Sequence, residues 1–155
     1  MRVRVQARVA IAAPPEVVWD ALTDWEGQSG WMVATAVTSD PGGHRVGERL
    51  TAVTGVAGVG FRDPMEVTGW DPPRRVEVVH LGRVVRGTGI FAVEPAPGGA
   101  WCLWVEDLDL PLGRLGRLGF GPLRPLFQLM LRRSLHRLAR QVEQRPDRLP
   151  GRLGG

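Results

Sequence analysis

The chain has 155 residues, 43% hydrophobic and 23% charged, a composition typical of one globular domain rather than of a disordered or fibrous chain. A single cysteine, Cys102, and the lack of lysine and tyrosine exclude an internal disulfide, a cysteine-based zinc cluster, a lysine Schiff base and a tyrosine general acid. No apolar run approaches the ~20 residues of a membrane-spanning helix, and the alternating N-terminus differs from a signal peptide, so we expect a cytoplasmic protein.

The first elements follow from hydrophobic periodicity. Residues 3–11 alternate between apolar and polar side chains, which predicts a half-buried strand. Pro15 suits the first turn of a helix over Pro15–Thr23, with Glu16 near its positive end. Asp24 is a candidate cap for a second short helix over Trp25–Gly30.

Between Trp31 and Leu110 the pattern changes to short β runs separated by turn residues. The predicted strands are Met32–Thr38, Glu48–Thr54, Phe61–Trp70, Arg75–Leu81, Arg83–Glu94 and Trp101–Leu110. The turns include 41–43, 71–74 and 95–99, which are rich in proline and glycine. Six consecutive runs with short connections predict an antiparallel meander.

The last third of the chain predicts a long helix from Pro122 to about Gln144, preceded by a glycine-rich lid at 112–121. Phe127, Leu131 and Leu138 lie on one apolar stripe that we expect to anchor the helix. An adjacent stripe, Leu123, Leu126 and Met130, is expected to face a cavity. The domain is therefore placed at residues 1–145, and 146–155 is expected to be a disordered or frayed tail.

Charge is distributed unevenly along the chain. Residues 1–112 carry ten arginines and fourteen acids, whereas residues 113–155 carry ten arginines and two acids. The favoured interpretation is a solvated helix face whose arginine stems cover apolar surface. Weak contact of 113–155 with an anionic membrane is the alternative. Nucleic acid binding is not expected, since the basic residues lack an interleaved aromatic platform.

The element order, one strand, two short helices, six strands and one long helix, predicts an α+β fold. A curved antiparallel sheet of about seven strands would wrap around the long C-terminal helix and leave an apolar gap beside it.

Three stretches carry a family resemblance, namely Ile11–Trp25 with Trp31 following, Val67–Val76, and Gly87–Pro95 with Trp104-Val105-Glu106. In this order and spacing they resemble the START-like (SRPBCC, helix-grip or Bet v 1-like) superfamily, in its polyketide cyclase/dehydrase branch. The resemblance spans residues 3 to about 144. It implies the helix-grip fold and a pocket lined by inward strand faces and by one side of the last helix. Members of the superfamily include lipid carriers, hormone and quinone binders and aromatase/cyclases, so the fold does not decide the function.

Within that fold, the predicted ligand-binding residues are aromatic, sulfur-containing, aliphatic and polar side chains placed on inward faces. They are Trp31, Met32, Phe61, Met65, His80, Trp104, Glu106, Leu123, Leu126, Phe127 and Met130. For each aromatic and methionine residue a purely structural place in the core is the alternative.

Two acids stand out on predicted inward faces. Asp63 shares a face with Phe61 and Met65, and a buried carboxylate is costly without a partner. Both faces of the Trp101–Leu110 strand carry apolar residues, so periodicity does not decide which face is inward. The resemblance, through its Trp-x-Glu pattern, implies that Trp104 and Glu106 face inward, where desolvation would raise the pKa of Glu106 and suit it to proton transfer. The favoured role for Glu106, however, is a salt bridge to an arginine on the neighbouring strand, such as Arg86.

His80 lies among valines on a predicted strand, a setting more typical of a hydrogen-bonded core or pocket residue than of a catalyst. His80 and Glu106 are the catalytic candidates if the protein is an enzyme. His44 and His136 do not form ligand spacing with His80, so no metal site is predicted. No cofactor is expected either, because the glycines of 55–60 lack the spacing of nucleotide-binding loops.

Three functions remain open. The leading one is binding or transport of a hydrophobic small molecule, such as a lipid, polyketide or isoprenoid, by a monomer or homodimer. The second is a polyketide aromatase/cyclase that moves protons with His80 or Glu106. The third is a peripheral membrane or partner-binding module that uses the basic C-terminal segment.

Overall fold

The computed structural model describes residues 2–41 and 44–145, and the predicted tail at 146–155 and Gly42-Gly43 lie outside the described residues. The strands are β1 (Arg2–Ile11), β2 (Thr35–Ser39), β3 (Arg49–Val56), β4 (Val59–Asp71), β5 (Arg75–Leu81), β6 (Arg86–Ala96) and β7 (Gly99–Asp109). The helices are α1 (Pro15–Thr23), a 3-10 helix at Glu26–Gly30, α2 (Arg114–Phe120) and α3 (Arg124–Glu143).

The seven strands form one antiparallel sheet in the order β1-β7-β6-β5-β4-β3-β2. Strands β2 to β7 are joined in chain order as hairpins. The last strand, β7, also pairs with β1, and Val5 lies opposite Glu106 in that pair. The β3–β4 hairpin turns at Ala57 and Gly58, both with positive φ, as a tight two-residue turn requires. The predicted α+β helix-grip fold is confirmed.

Helix α3 packs its apolar stripe into the concave side of the sheet. Leu131, Leu135 and Leu138 have no exposed surface, which confirms the anchoring role predicted for this stripe. Two polar contacts also fix the helix: the amide of Val33 donates to Ser134 Oγ at 3.0 Å, and the amide of Ala12 donates to the Glu143 carboxylate at 2.9 Å. The position of α3 relative to the sheet is therefore set along most of its length.

The glycine-rich segment differs from its prediction as an irregular lid, because its central residues form α2. Glycine costs roughly 1 kcal/mol in a helix interior, but Gly116 lies where a side-chain Cβ would overlap the Pro111 carbonyl oxygen. Phe120, at the end of α2, packs edge-on against Phe127 with ring centroids 6.3 Å apart. These contacts favour a helix despite the glycines, and α3 accordingly begins at Arg124 rather than at Pro122.

Among the described residues, no helix has both the length and the hydropathy needed to cross a membrane.

Candidate functional site

A cavity of about 120 Å³ lies between the concave face of the sheet and α3. Its wall is mainly apolar and draws on β2 to β7, on α3 and on the segment near the 3-10 helix. An apolar cavity of roughly 150 Å³ in another protein stays dry and takes up benzene. The cavity is therefore of the right size for one compact ring.

Three ionisable side chains meet in the wall of this cavity. His80 Nδ1 lies 2.7 Å from Asp63 Oδ2, and His80 Nε2 lies 2.9 Å from Glu106 Oε2. The indole Nε1 of Trp104 donates to the other Glu106 oxygen at 2.6 Å. We call Asp63, His80 and Glu106 the acidic triad.

The sheet register brings the acidic triad together from three strands. His80 on β5 lies beside Met65 on β4, two residues from Asp63. Glu106 on β7 lies opposite Gly89 on β6, which separates it from β5. Neighbouring strands are ~4.8 Å apart, so a β7 side chain must reach across β6 to contact β5.

Gly89 leaves the space for that reach. A Cβ at this position would lie 3.1 Å from both Glu106 carboxylate oxygens and 3.2 Å from Val78 Cγ2. The Gly87-Thr88-Gly89 sequence lies within β6 and keeps its inward face open. This glycine lets a glutamate on one strand bind a histidine two strands away.

The acidic triad is buried and charged. The Asp63, His80 and Glu106 side chains are only 9%, 5% and 9% exposed. Burial lowers the pKa of His80, but hydrogen bonds and charge attraction from Asp63 and Glu106 outweigh it and raise the pKa from 6.5 to about 10. An imidazolium between two carboxylates gives the triad one formal negative charge.

One polar atom of the acidic triad lacks a partner. Asp63 Oδ1 is buried and has no hydrogen bond within the described residues, although Oδ2 of the same carboxylate binds His80. An unsatisfied buried acceptor is costly, and such groups are rare in folded proteins. Both carboxylate oxygens of Glu106 therefore have a hydrogen-bond partner, whereas only one oxygen of Asp63 does.

Eight of the eleven residues predicted to bind ligand line the cavity. They are Met32, Phe61, Met65, His80, Trp104, Glu106, Phe127 and Met130.

The other three are placed elsewhere. Leu123 and Leu126 are 56% and 65% exposed, so their predicted orientation toward the cavity is wrong. They lie at the start of α3, beside α2, where the helix has not yet reached the core; its fully buried residues begin at Leu131. Trp31 is buried and packs its ring against Phe91 and Trp104, with centroids 6.0 and 6.2 Å away, so it supports the wall from behind.

The salt bridge expected between Glu106 and Arg86 is also wrong. Glu106 instead binds His80 and Trp104, and Arg86 is exposed. In β6 the residues that face Glu106 and its inward neighbours are Gly87, Gly89 and Phe91, so Arg86 lies on the opposite face of the strand.

The prediction omitted other residues of the wall. Period-2 alternation could have placed the valines and leucines among them, once the inward phase of each strand was known. They are Trp25, Gln28, Thr35, Val37, Leu50, Ala52, Thr54, Val76, Val78, Val85, Gly89, Ile90, Phe91 and Leu108, whereas Asp63, also in the wall, lies on the inward face predicted for it.

A second cluster, which we call the tryptophan cluster, surrounds His44. The His44 ring lies 5.8 Å from that of Trp25 and 5.4 Å from that of Trp70, and Trp70 also contacts Trp19 at 5.2 Å. His44 Nε2 is 2.8 Å from the carbonyl oxygen of Thr23 at the end of α1. This cluster connects α1, β4 and the segment before β3.

Solved structures with the same fold come from several bacteria. A protein of Thermus thermophilus is 22% identical, with a TM-score of 0.76 over 90% of this chain and 97% of that one. The Zhui aromatase/cyclase from Streptomyces sp. R1128 is 20% identical, with a TM-score of 0.71 over 94% of this chain and 96% of that one. A protein of Chromobacterium violaceum is 17% identical, with a TM-score of 0.68 over 92% of this chain and 99% of that one.

At these identities the structural matches establish the fold alone. A comparison with curated proteins gave no match. Residues 2–143 match the family described as polyketide cyclase / dehydrase and lipid transport, which covers every strand, every helix and the acidic triad. The chain belongs to the polyketide cyclase / dehydrase and lipid transport family.

Proposed function

We propose that this protein binds a compact hydrophobic small molecule in the cavity between sheet and helix, with the polar end of the molecule at the acidic triad. The observation that carries the proposal is a mainly apolar cavity whose polar groups converge on one place in its wall. Ligand sites in proteins have this composition: apolar walls supply affinity and a few polar groups fix orientation.

The volume of the cavity limits the ligand. About 120 Å³ accommodates a single ring with a short substituent, whereas pockets for drug-sized ligands measure roughly 300–1,000 Å³. A longer molecule would have to extend through the mouth or displace wall residues. Met32, Met65 and Met130 line the wall, and methionine side chains adapt their shape readily.

A cavity-filling substitution tests the proposal. Val37→Phe adds an aromatic ring to the cavity wall from β2, two strands away from Asp63. The control, Val53→Phe, adds the same ring on the partly exposed outer face of β3. We expect small molecules extracted from the denatured wild-type protein, and detected by mass spectrometry, to be lost in Val37→Phe and retained in Val53→Phe. Equal yields from both variants would contradict binding in this cavity.

A cyclase-type enzyme is the second candidate, and the contact between His80 and two carboxylates is the observation that favours it. Both imidazole nitrogens are engaged, however, and the raised pKa of His80 makes its ring a weak proton donor near neutral pH. The small cavity also disfavours an extended polyketide chain. Product formation from a polyketide substrate that falls at least about 100-fold in His80→Gln would favour the enzyme over the binder.

Membrane contact is a further candidate role, supported by an exposed apolar surface within a basic segment. Six leucines in and around α2 and the first turns of α3 are between 51% and 79% exposed: Leu112, Leu115, Leu118, Leu123, Leu126 and Leu129. Residues 113–145 carry eight arginines and one acid, Glu143. Apolar side chains among positive charges are typical of surfaces that bind anionic lipid headgroups.

Vesicle sedimentation tests this role. We expect binding to phosphatidylglycerol vesicles at low salt, weaker binding at high salt, and none to phosphatidylcholine vesicles. Leu115→Ser with Leu118→Ser should reduce binding, while Val46→Ser, at a 58% exposed valine outside this segment, should not. Failure of the wild-type protein to bind anionic vesicles at low salt would contradict the role.

A further inference from the structure

We propose that the cavity selects ligands whose polar end is a hydrogen-bond donor or a cation, such as a hydroxyl or ammonium group, and rejects carboxylates and other anions. This inference rests on the proposed binding function and assigns the chemical class of the ligand's polar end. Its basis is the unpartnered carboxylate oxygen of Asp63 and the charge of the surrounding wall.

The first observation is the buried, unpartnered Oδ1 of Asp63. The side chain is 9% exposed and lines the cavity, and its other oxygen is already bound to His80. A carboxylate oxygen only accepts hydrogen bonds, so a donor must come from the ligand or from a water. A hydroxyl or ammonium group satisfies this oxygen, whereas a second carboxylate would repel it.

The second observation is the charge of the wall. Among the described residues, no arginine lines the cavity, and His80 is the one basic side chain there. His80 directs both nitrogens to Asp63 and Glu106 and has no further donor for a ligand. An anion entering the cavity would therefore meet two carboxylates and no available cation.

The remaining polar groups of the wall are already paired. Trp104 Nε1 donates to Glu106, Gln28 Nε2 donates to the Leu22 carbonyl, and Trp25 Nε1 donates to Glu48. The hydroxyls of Thr35 and Thr54 bond each other, 3.0 Å apart. Among the described residues of the wall, Asp63 Oδ1 is thus the buried side-chain acceptor that has no hydrogen bond at all.

A series of four small benzene derivatives of similar size tests the inference. Toluene has no polar end, benzyl alcohol has a neutral donor, benzylamine is a cation at pH 7, and benzoate is an anion. Isothermal titration calorimetry of the wild-type protein with each compound gives the affinities. We expect benzyl alcohol or benzylamine to bind at least about tenfold more tightly than benzoate and more tightly than toluene.

The outcomes separate this inference from the proposed function. If toluene binds as tightly as the two donors, or benzoate as tightly as either, the cavity binds ligands and the charge preference is wrong. If none of the four binds, both the function and the preference are wrong.

Two substitutions locate the effect. Asp63→Asn removes the negative charge and adds a donor at nearly the same size, and Glu106→Gln does so at the far side of His80. We expect either variant to reduce the preference for benzylamine over benzoate by at least about tenfold, and Asp63→Asn to weaken benzyl alcohol more than Glu106→Gln. An unchanged preference in a folded variant, as judged by circular dichroism, would overturn the assignment to the acidic triad.

Discussion

Two histidines in this protein, His80 and His44, lie in clusters that contain tryptophan, yet their environments differ. His80 is 5% exposed in its side chain and contacts two carboxylates, with Trp104 completing the set. His44 is exposed, contacts the rings of Trp25 and Trp70, and bonds to a backbone carbonyl. His80 thus neutralises part of the buried negative charge at the cavity, and His44 connects the segment before β3 to the end of α1.

The hydrogen-bond partners of each histidine, rather than its residue type, decide what it does in this protein. Around His80, removal of one group leaves an unpaired charge in an apolar surrounding, which is expensive. Around His44, solvent replaces whatever contact is lost.

Replacing His80 by leucine is expected to have the largest effect. The change leaves Asp63 and Glu106 buried without their shared cation, and loss of one partner from a buried ion pair costs roughly 3–5 kcal/mol. Urea denaturation measures the free energy of unfolding. A loss below about 1 kcal/mol, the value of an exposed contact, would show that the acidic triad is not charged as described.

Gly89→Ala is expected to be destabilising because its new methyl group meets the Glu106 carboxylate and Val78. Overpacking of this kind costs roughly 1–3 kcal/mol, and displacement of Glu106 should also weaken binding of benzyl alcohol. Gly119→Ala in α2 is the matched control, since no atom lies within 4 Å of its Cβ position. The control should be neutral or stabilising by up to about 1 kcal/mol; equal destabilisation of both variants would contradict the role given to Gly89.

Stability is expected to fall as pH rises above neutrality. In the folded state the pKa of His80 is about 10, above its ordinary value of 6.5, so the folded protein holds a proton that the unfolded chain has lost. The stabilisation is complete below pH 6.5 and is lost as pH rises through about 10, with a limiting slope of roughly 1.4 kcal/mol per pH unit.

Urea titrations at pH 7, 8 and 9 measure this slope, which His80→Gln should reduce and His44→Gln should leave unchanged. A slope that persists in His80→Gln would assign the pH dependence to another group.

His44→Ala is expected to have the smallest effect. It removes ring contacts with Trp25 and Trp70 and one bond to the Thr23 carbonyl at an exposed site, a loss of about 1 kcal/mol or less. Affinity for benzyl alcohol should not change, because His44 does not line the cavity. A loss of unfolding free energy as large as that in His80→Leu would contradict the difference described between the surroundings of His44 and His80.

Much of the fold could be predicted from the sequence because it depends on local signals. Period-2 alternation places β1, the turn at 71–74 separates β4 from β5, and Arg75–Leu81 is predicted with the bounds that β5 has in the structure. The same alternation places Asp63 on an inward face. Glu106 is placed inward by the Trp-x-Glu pattern of the family resemblance, because both faces of its strand carry apolar residues. These inferences required only the order of side chains along one strand.

The assembly of the site could not be predicted, since it depends on distances between strands. Contact between Glu106 and His80 requires the register of β5, β6 and β7 and an open position at Gly89, none of which alternation within one strand reveals. Leu126 and Met130 share a helix stripe, yet one is exposed and the other lines the cavity. That difference depends on where the core ends along α3, which is a property of tertiary packing.

The most direct test of ligand binding in the cavity uses its methionines as reporters. Three of the four methionines in the chain, Met32, Met65 and Met130, line the cavity. We predict that benzyl alcohol, added to protein carrying ¹³C-labelled methionine methyl groups, shifts these three NMR signals with a common saturating dependence, and that Val37→Phe abolishes the shifts while Val53→Phe preserves them. Absence of shifts in the wild-type protein up to the solubility limit of the ligand, or equal shifts in Val37→Phe, would contradict the account.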